Sequence, residues 1–231
     1  MPSIVIIGTG GNAYDMLDIV DAIQAARRDC TVCGFVDDSR PTGSEYLGLP
    51  VLGRVEDAAK MDGYVQFVNA VGSDRSYRIR PRIVSRAGLT SDRWATLIHP
   101  AASVSKRASL GQGVCINHGV SVGGGVVIGN HVQLGPGCII GHDTVIEDFA
   151  VIAPGAIVSG FVRVGRNCYV GAGAMIRQQQ RVGEEALVGL GAVVVKDVPA
   201  GAVVVGNPAR EINQIRSAVV PLPNGIVGIK A

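Results

Sequence analysis

Every sixth residue from Val104 to Val194 is Val, Ile or Leu. The ladder runs Val104, Leu110, Ile116, Val122, Ile128, Leu134, Ile140, Ile146, Ile152, Val158, Val164, Val170, Ile176, Val182, Val188, Val194 without a slip. Those three residue types fill 31 of the 96 positions from 104 to 199, so chance gives such a run with a probability on the order of 10⁻⁷. The position four further along is small or compact from Ala108 to Val198, and only Gln180 departs. Gly commonly follows the aliphatic residue, as at Gly111, Gly123 and Gly141. One large and one small inward residue per six specify a parallel β-helix. Each hexad gives a short strand and a corner, and three hexads close an 18-residue triangular coil. Coils stack at about 4.8 Å, so slightly over five of them make a prism roughly 25 Å tall. The glycines are expected to relieve crowding or to permit positive φ.

Composition agrees and excludes other classes. Of 231 residues, 47% are hydrophobic but only 4% aromatic, and 32 are Gly, which speaks against a helical bundle or an aromatic-rich sandwich. A charged fraction of 17% excludes disorder. A net charge of +2 without Lys/Arg runs leaves no nucleic-acid footprint. No apolar stretch is long enough to span a membrane. The N-terminus enters a strand pattern at once, Ser3-Ile4-Val5-Ile6-Ile7, with no targeting segment, which reads as a cytoplasmic protein.

Alternating strands and helices in the first hundred residues predict a small parallel α/β sheet. The strand Ser3–Ile7 precedes the turn Gly8-Thr9-Gly10-Gly11-Asn12-Ala13 and a helix from Tyr14 to Arg27. A second strand ends at Phe35-Val36-Asp37-Asp38; a strand near Val51, a helix near Val55 to Lys60 and a strand over Tyr64 to Val71 follow. Arg75 to Ala87 reads as helix, and Ala95 to Ile98 as the module's last strand. The organisation is an α/β module over 1–100, a β-helix over 101–210 and a C-terminal extension over 211–231. Gly8-x-Gly10-x-x-Ala13 fits a loose dinucleotide fingerprint, whose backbone N–H groups at a helix N-terminus suit a pyrophosphate. Asp37 and Asp38 are placed to accept hydrogen bonds from a ribose or base. About ninety residues supply half the sheet of a dinucleotide fold, so a mononucleotide diphosphate fits better than a nicotinamide cofactor. A structural glycine turn with solvated aspartates is the competing interpretation.

Five cysteines, Cys30, Cys33, Cys115, Cys138 and Cys168, make an odd count and argue against a disulfide framework. Cys30 and Cys33 form a CxxC within a strand, where residues three apart face opposite sides, so they read as ordinary thiols. His118, His131 and His142 fall on three different corners of the prism and should all point outward, so they cannot converge on a metal. Asp143 follows His142 on the same corner. A carboxylate there would fix the imidazole tautomer and leave one nitrogen as a general base. One coil beyond His142 lies Gly160, whose backbone N–H is a candidate oxyanion donor; a plain corner glycine is the alternative.

At these residues the chain resembles a known family. The opening strand-GTGGNA, Gly34-Phe35-Val36-Asp37-Asp38, Leu97-Ile98-His99-Pro100, Ile140-Gly141-His142-Asp143, Ile152-Ala153-Pro154-Gly155-Ala156 and Gly206-Asn207-Pro208-Ala209-Arg210 occur in this order. Together they look like the sialic-acid/amino-sugar acetyltransferase group of hexapeptide proteins. Its members acetylate nucleotide-linked 4-amino-6-deoxy sugars for bacterial glycans, as in the perosamine and bacillosamine pathways. The resemblance implies a left-handed β-helix, acetyl-CoA as donor, no metal, and a homotrimer with each active site in a groove between neighbours. It implies His142 and Asp143 as the catalytic pair and Gly160 as oxyanion donor. It implies Gly8, Gly10, Gly11, Asn12, Asp37, Asp38 and Gly72 as the nucleotide-sugar site. Gly160, Ala172, Gly173, Gly189, Gly191, Lys196, Pro208 and Arg210 would line the CoA groove. Many relatives carry a histidine nine positions after the base and an asparagine seven before it. This chain has Val151 and Gly135 there, so the sugar does not transfer from relatives. Asn117 and His118 are left as surface or interface residues. A sugar O-acetyltransferase, a non-catalytic trimeric scaffold and a nicotinamide-dependent enzyme are the competing functions.

Overall fold

A computed structural model describes residues 3–27, 30–212, 219–221 and 227–229. In the first module β1 (Ser3–Ile7) lies between β2 (Thr31–Val36) and β5 (Val65–Asn69), parallel to both. The side chains of β1 alternate between two cores, as strand geometry dictates. Ile4 and Ile6 meet Met16 and Ile19 of α1 (Asn12–Arg27), while Val5 and Ile7 meet Phe67, Ile83 and Trp94 on the other face. Beyond β2 the expected strand near Val51 is β4 (Leu49–Gly53), parallel to β2, and β3 (Glu45–Tyr46) adds an antiparallel hairpin to it. The first helix starts two residues earlier than its apolar spacing suggests, because Gly10 and Gly11 already accept the first helical turns from Ala13 and Tyr14. Val55–Lys60 is a 3₁₀ helix, and the segment at 75–87 splits into a 3₁₀ turn, Tyr77–Ile79, and α2 (Arg80–Ala87).

The second module is the three-sided prism. Face 1 carries Cys115–Ile116, Gln133–Leu134, Val151–Ile152, Tyr169–Val170, Leu187–Val188 and Val203–Val205. Face 2 runs from Ser103–Val104 to Val193–Val194, and face 3 from Ser109–Leu110 to Arg181–Val182. Strands pair in parallel at an 18-residue offset, as in Val122 opposite Ile140 and Ile140 opposite Val158. The ladder residues from Ile116 to Val194 are all buried in one continuous core. Leu97–Ile98, expected to close the α/β sheet, instead pairs with Cys115–Ile116 and opens face 1. Its register explains this, since Ile98 lies one hexad before Val104. The period fails after Val194: Val188 pairs with Val204 and Val182 bridges Val198, steps of 16 residues rather than 18. Val203–Val205 then pairs antiparallel with Arg210–Ile212. Most of the proposed extension over 211–231 lies outside the described residues.

The glycines have two separate jobs. Those directly after the ladder residue leave no room for a side chain: a Cβ on Gly141 would stand 2.5 Å from Gly160 N. Positive φ falls two residues later, on His131, Asp143, Phe149, Phe161, Asn167, Gln179 and Glu185 as well as on glycines. At the corner between faces 1 and 2 that position is glycine in five successive coils, Gly119, Gly137, Gly155, Gly173 and Gly191. The third position of that corner therefore carries no side chain along the prism.

The α/β module lies against face 1 and against the corner joining faces 3 and 1. Arg80 locks the contact. Its guanidinium is fully buried and donates to the carbonyls of Val71 in its own module and of His131 and Phe149 in the prism. His131 points out of the prism as its corner position predicts, but the first module covers it and leaves it buried. Its ring stacks on Phe149 at 5.0 Å and takes the edge of Trp94 at 4.7 Å. Burial, with the Arg80 charge beside it, pushes the imidazole down to about 4. Asn117, read as a surface or interface residue, is buried too, and only 3% exposed. His118 is exposed, with its ring 5.7 Å from that of His99. None of the five cysteines forms a disulfide.

The buried imidazole carries a pH signature. An unfolded histidine binds a proton near pH 6.5, whereas His131 resists it until about pH 4. Its contribution is complete above pH 6.5 and is lost as pH falls through that interval, by up to about 3 kcal/mol. Thermal unfolding from pH 7 to 4 should therefore show a steeper fall for the wild type than for His131→Phe. Parallel curves would remove His131 as the cause.

Candidate active site

The corner between faces 2 and 3 carries His142 and Asp143. Ile139–Ile140 ends face 2, Gly141 through Thr144 turn the corner, and Val145–Ile146 begins face 3. Asp143 takes the positive-φ position, φ 56°, which acidic and amide side chains tolerate better than branched ones. This turn brings Asp143 Oδ2 to 2.9 Å from His142 Nδ1. With the Nδ1 proton directed at the carboxylate, Nε2 keeps its lone pair. Both side chains are more than half exposed. Gly160 lies one coil on, beneath that nitrogen: a Cβ built on it would stand 2.9 Å from Nε2. The Gly160 N–H donates to no described residue, while its carbonyl accepts from Gln179. Phe161 closes one side, its ring edge-on to His142 at 5.0 Å.

The nucleotide-loop residues form a separate group. Gly8, at φ 100°, has no space for a side chain beside Val71. Gly10 and Gly11 are open, and their N–H groups and that of Asn12 make no hydrogen bond to the described residues at the head of α1. Asp37 sits below them, and its acceptor capacity is spent: Oδ2 takes Thr9 N and Oγ1, Oδ1 takes Ser39 N and Oγ. Burial alone would raise its pKa, but those bonds from Ser39 and Thr9 hold it below the usual carboxylate range. Asp38 pairs with Arg86 at 2.7 Å and accepts from Val55 N. Asp37 thus holds the glycine loop, while Asp38 ties the 3₁₀ helix at Val55 to Arg86 of α2. Arg40, which motif reasoning passed over, hydrogen-bonds Thr9 Oγ1 and stacks on Tyr46 at 4.3 Å. Gly72 is a packing position, since a Cβ there would strike Gln133, Arg80 and Val151.

The residues expected along a CoA groove flank face 2 from both sides. Ala172, Gly173, Gly189 and Gly191 lie on the 1/2 corner, whereas Gly160 and Lys196 lie on the 2/3 corner. The Gly206–Ala209 turn closes over the end of face 2, through Val193 N to Gly206 O and Ala209 N to Val193 O. Pro208 sits in that turn after a cis bond, and Arg210 is exposed beyond it.

Between the modules runs a cleft with walls from both. Asn12 and Asp15 of α1 and Ser73 face Asn117, Gln133 and Tyr169 of face 1, around a cavity of about 140 Å³. Gly135 and Val151 lie on its prism wall. His142 is not there. It occupies the edge opposite face 1, so one chain separates its imidazole from its own cleft by the width of the prism. Asp15 and Asn117 carry no motif, and only the docking of the two modules brings them together. Among the described residues no cluster could hold a metal ion, and no helix is long and apolar enough to cross a membrane.

Comparison with known proteins accounts for both modules. The family described as PglD N-terminal domain matches residues 3–87, and bacterial transferase hexapeptide (six repeats) matches 96–142 and 143–178. The acetyltransferase domain of PglB from Neisseria gonorrhoeae, solved with acetyl coenzyme A, is 33% identical. It superposes with a TM-score of 0.79 over 91% of this chain and 98% of that one. A perosamine N-acetyltransferase variant from Caulobacter crescentus, solved with CoA and GDP-perosamine, is 27% identical, with a TM-score of 0.80 over 93% and 98% of the two chains. The UDP-N-acetylbacillosamine N-acetyltransferase of Bacillus subtilis is 33% identical over 120 residues. The matched segment spans about half the length of that curated relative, 51%, and 50% of this chain. With its PglD-type α/β module and a left-handed hexapeptide β-helix, the chain belongs to the hexapeptide-repeat N-acetyltransferase family.

Proposed function

We propose that the protein transfers an acetyl group from acetyl-CoA to the 4-amino group of a nucleotide-linked 4-amino-4,6-dideoxy sugar, in the cytoplasm. The observation that carries this reading is the His142–Asp143 pair one coil from the unbonded N–H of Gly160, on a prism whose first module offers an open glycine loop. The pyrophosphate binds the N–H groups of Gly10, Gly11 and Asn12, where the helix end favours an anion. The CoA chain follows face 2 between its two edges, with Lys196 or Arg210 meeting phosphate. Transfer is direct. The free amine attacks the thioester carbonyl, Gly160 N–H receives the developing oxyanion, and His142 Nε2 takes the amine proton while Asp143 supports the imidazolium. Collapse of the tetrahedral intermediate breaks the carbon–sulfur bond and releases CoA. No buried cysteine competes as a nucleophile; burial pushes the Cys115 thiol up to about 12 and Cys138 to about 11.

The position of His142 opposite face 1 favours a shared site, in which the base of one copy serves the cleft of the next in a homotrimer. Mixed assemblies test this. His142→Ala lacks the base, and Gly10→Glu places an acid against the pyrophosphate. If the site is shared, co-assembling the two inactive variants restores turnover that neither has alone. Failure of any mixture to recover activity, with mixed trimers verified, places base and cleft in one chain. Screening stabilisation with UDP-, GDP- and dTDP-linked 4-amino sugars identifies the acceptor, since binding to the folded state raises its melting point.

A further inference from the structure

Of the fourteen residues that line the cleft between the modules, Asp15 alone bears a charge. Its carboxylate is half-buried on the first turns of α1 and makes no hydrogen bond or salt bridge to the described residues. Loss of water raises its proton affinity, Asp18 adds to that, and exposed His118 opposes it. Across the cleft stands Asn117, only 3% exposed, which lines the same cavity. A half-buried carboxylate without a partner costs free energy unless something completes it. The cavity, about 140 Å³, has room for about five waters, the scale of one sugar ring rather than a nucleotide. Of the N–H groups that suit an anion, those of Gly10 and Gly11 lie outside it, while Asn12 lines it. The electrostatics are therefore sorted along one line, anion at the loop and cation in the cleft.

We propose that Asp15 is the specificity-determining residue for the acceptor's amine: it receives the ammonium form in the interdomain cleft, while Asn117 hydrogen-bonds a neighbouring hydroxyl or carbonyl of the same sugar. This deepens the function proposed above and rests on it. An amine of this kind is largely protonated at neutral pH. It docks as the cation, releases one proton to water, and attacks as the free base; the second proton is the one His142 accepts. A hydroxyl at the same carbon forms no ion pair with Asp15, so the cleft selects amine over alcohol.

The test is binding of two ligands by calorimetry, a nucleotide-linked 4-amino sugar and its 4-hydroxy counterpart, to wild type, Asp15→Asn and Asp15→Glu. The wild type should prefer the amine by about 10- to 100-fold, the worth of one charge-assisted hydrogen bond. Asp15→Asn should lose that preference with its affinity for the 4-hydroxy sugar unchanged, and Asp15→Glu should recover part of it. Retention of the full preference by Asp15→Asn overturns the assignment while leaving the transferase reading intact. Failure of the wild type to bind either sugar overturns both.

Discussion

His142→Ala is expected to lower kcat by about 10²–10⁴-fold, the usual worth of a positioned general base, with little change in affinity for the nucleotide sugar. The loss falls on kcat because the imidazole lies on an edge of the prism and the glycine loop proposed for the nucleotide lies on the other module. Two companion substitutions separate the roles. Asp143→Asn keeps a residue that accepts φ 56° but removes the charge that supports the imidazolium, so it should cost about tenfold, a fraction of the alanine effect. Gly160→Ala places a methyl 2.9 Å from Nε2, closer than atoms approach without displacement, and should block the base as severely as its removal. Steady-state kinetics at saturating acetyl-CoA decide the matter. Full turnover by His142→Ala would take this corner out of the reaction; a large effect on nucleotide-sugar affinity would mean that the imidazole binds rather than catalyses.

The ladder of aliphatics and the His142–Asp143–Gly160 stack were legible because both depend on one period. An 18-residue coil puts residue 160 over residue 142 whatever else the chain does. The same period says which side chains point out of the prism but is silent about what lies outside. His131 and Asn117 were assigned outward positions correctly and still end up buried, since the α/β module covers face 1 and its neighbouring corner. Asp37 shows the complementary limit. An acid at the end of a second strand has the position of a ribose ligand, yet Thr9 and Ser39 consume its acceptors. Nothing in residue spacing distinguishes a carboxylate that holds a loop from one that holds a ligand. Positive φ at the third corner residue is legible where that residue is Gly, as at Gly137 and Gly155, but not at the seven such positions that bear side chains.

Arg80→Leu is expected to be the most destabilising single change in the chain. In sequence Arg80 is one basic residue on a short amphipathic helix; in the fold it is fully buried, and among the described residues no acid pairs with it. Burial pushes its guanidinium down to about 10, so it remains charged at neutral pH. The planar fork satisfies three carbonyls at once, one in the α/β module and two in the prism. Leucine fills part of the volume and leaves all three acceptors stranded in a dry contact, at about 1–3 kcal/mol each. Some of that cost is offset by losing a buried charge, leaving a net loss on the order of 3–5 kcal/mol. For a chain of this size that lowers the melting midpoint by roughly 10 °C. Arg80→Lys should fare little better, because one ammonium cannot span donors that the guanidinium directs along separate lines. Since the prism has its own continuous core, calorimetry of Arg80→Leu should resolve two transitions where the wild type shows one, the α/β module melting first. Acceptor affinity should fall with it, as the cleft needs both walls. An unchanged midpoint in Arg80→Leu would show that the modules are held together by their other contacts, among them Tyr77 Oη to Glu185 O and Gln133 Nε2 to Asn69 O.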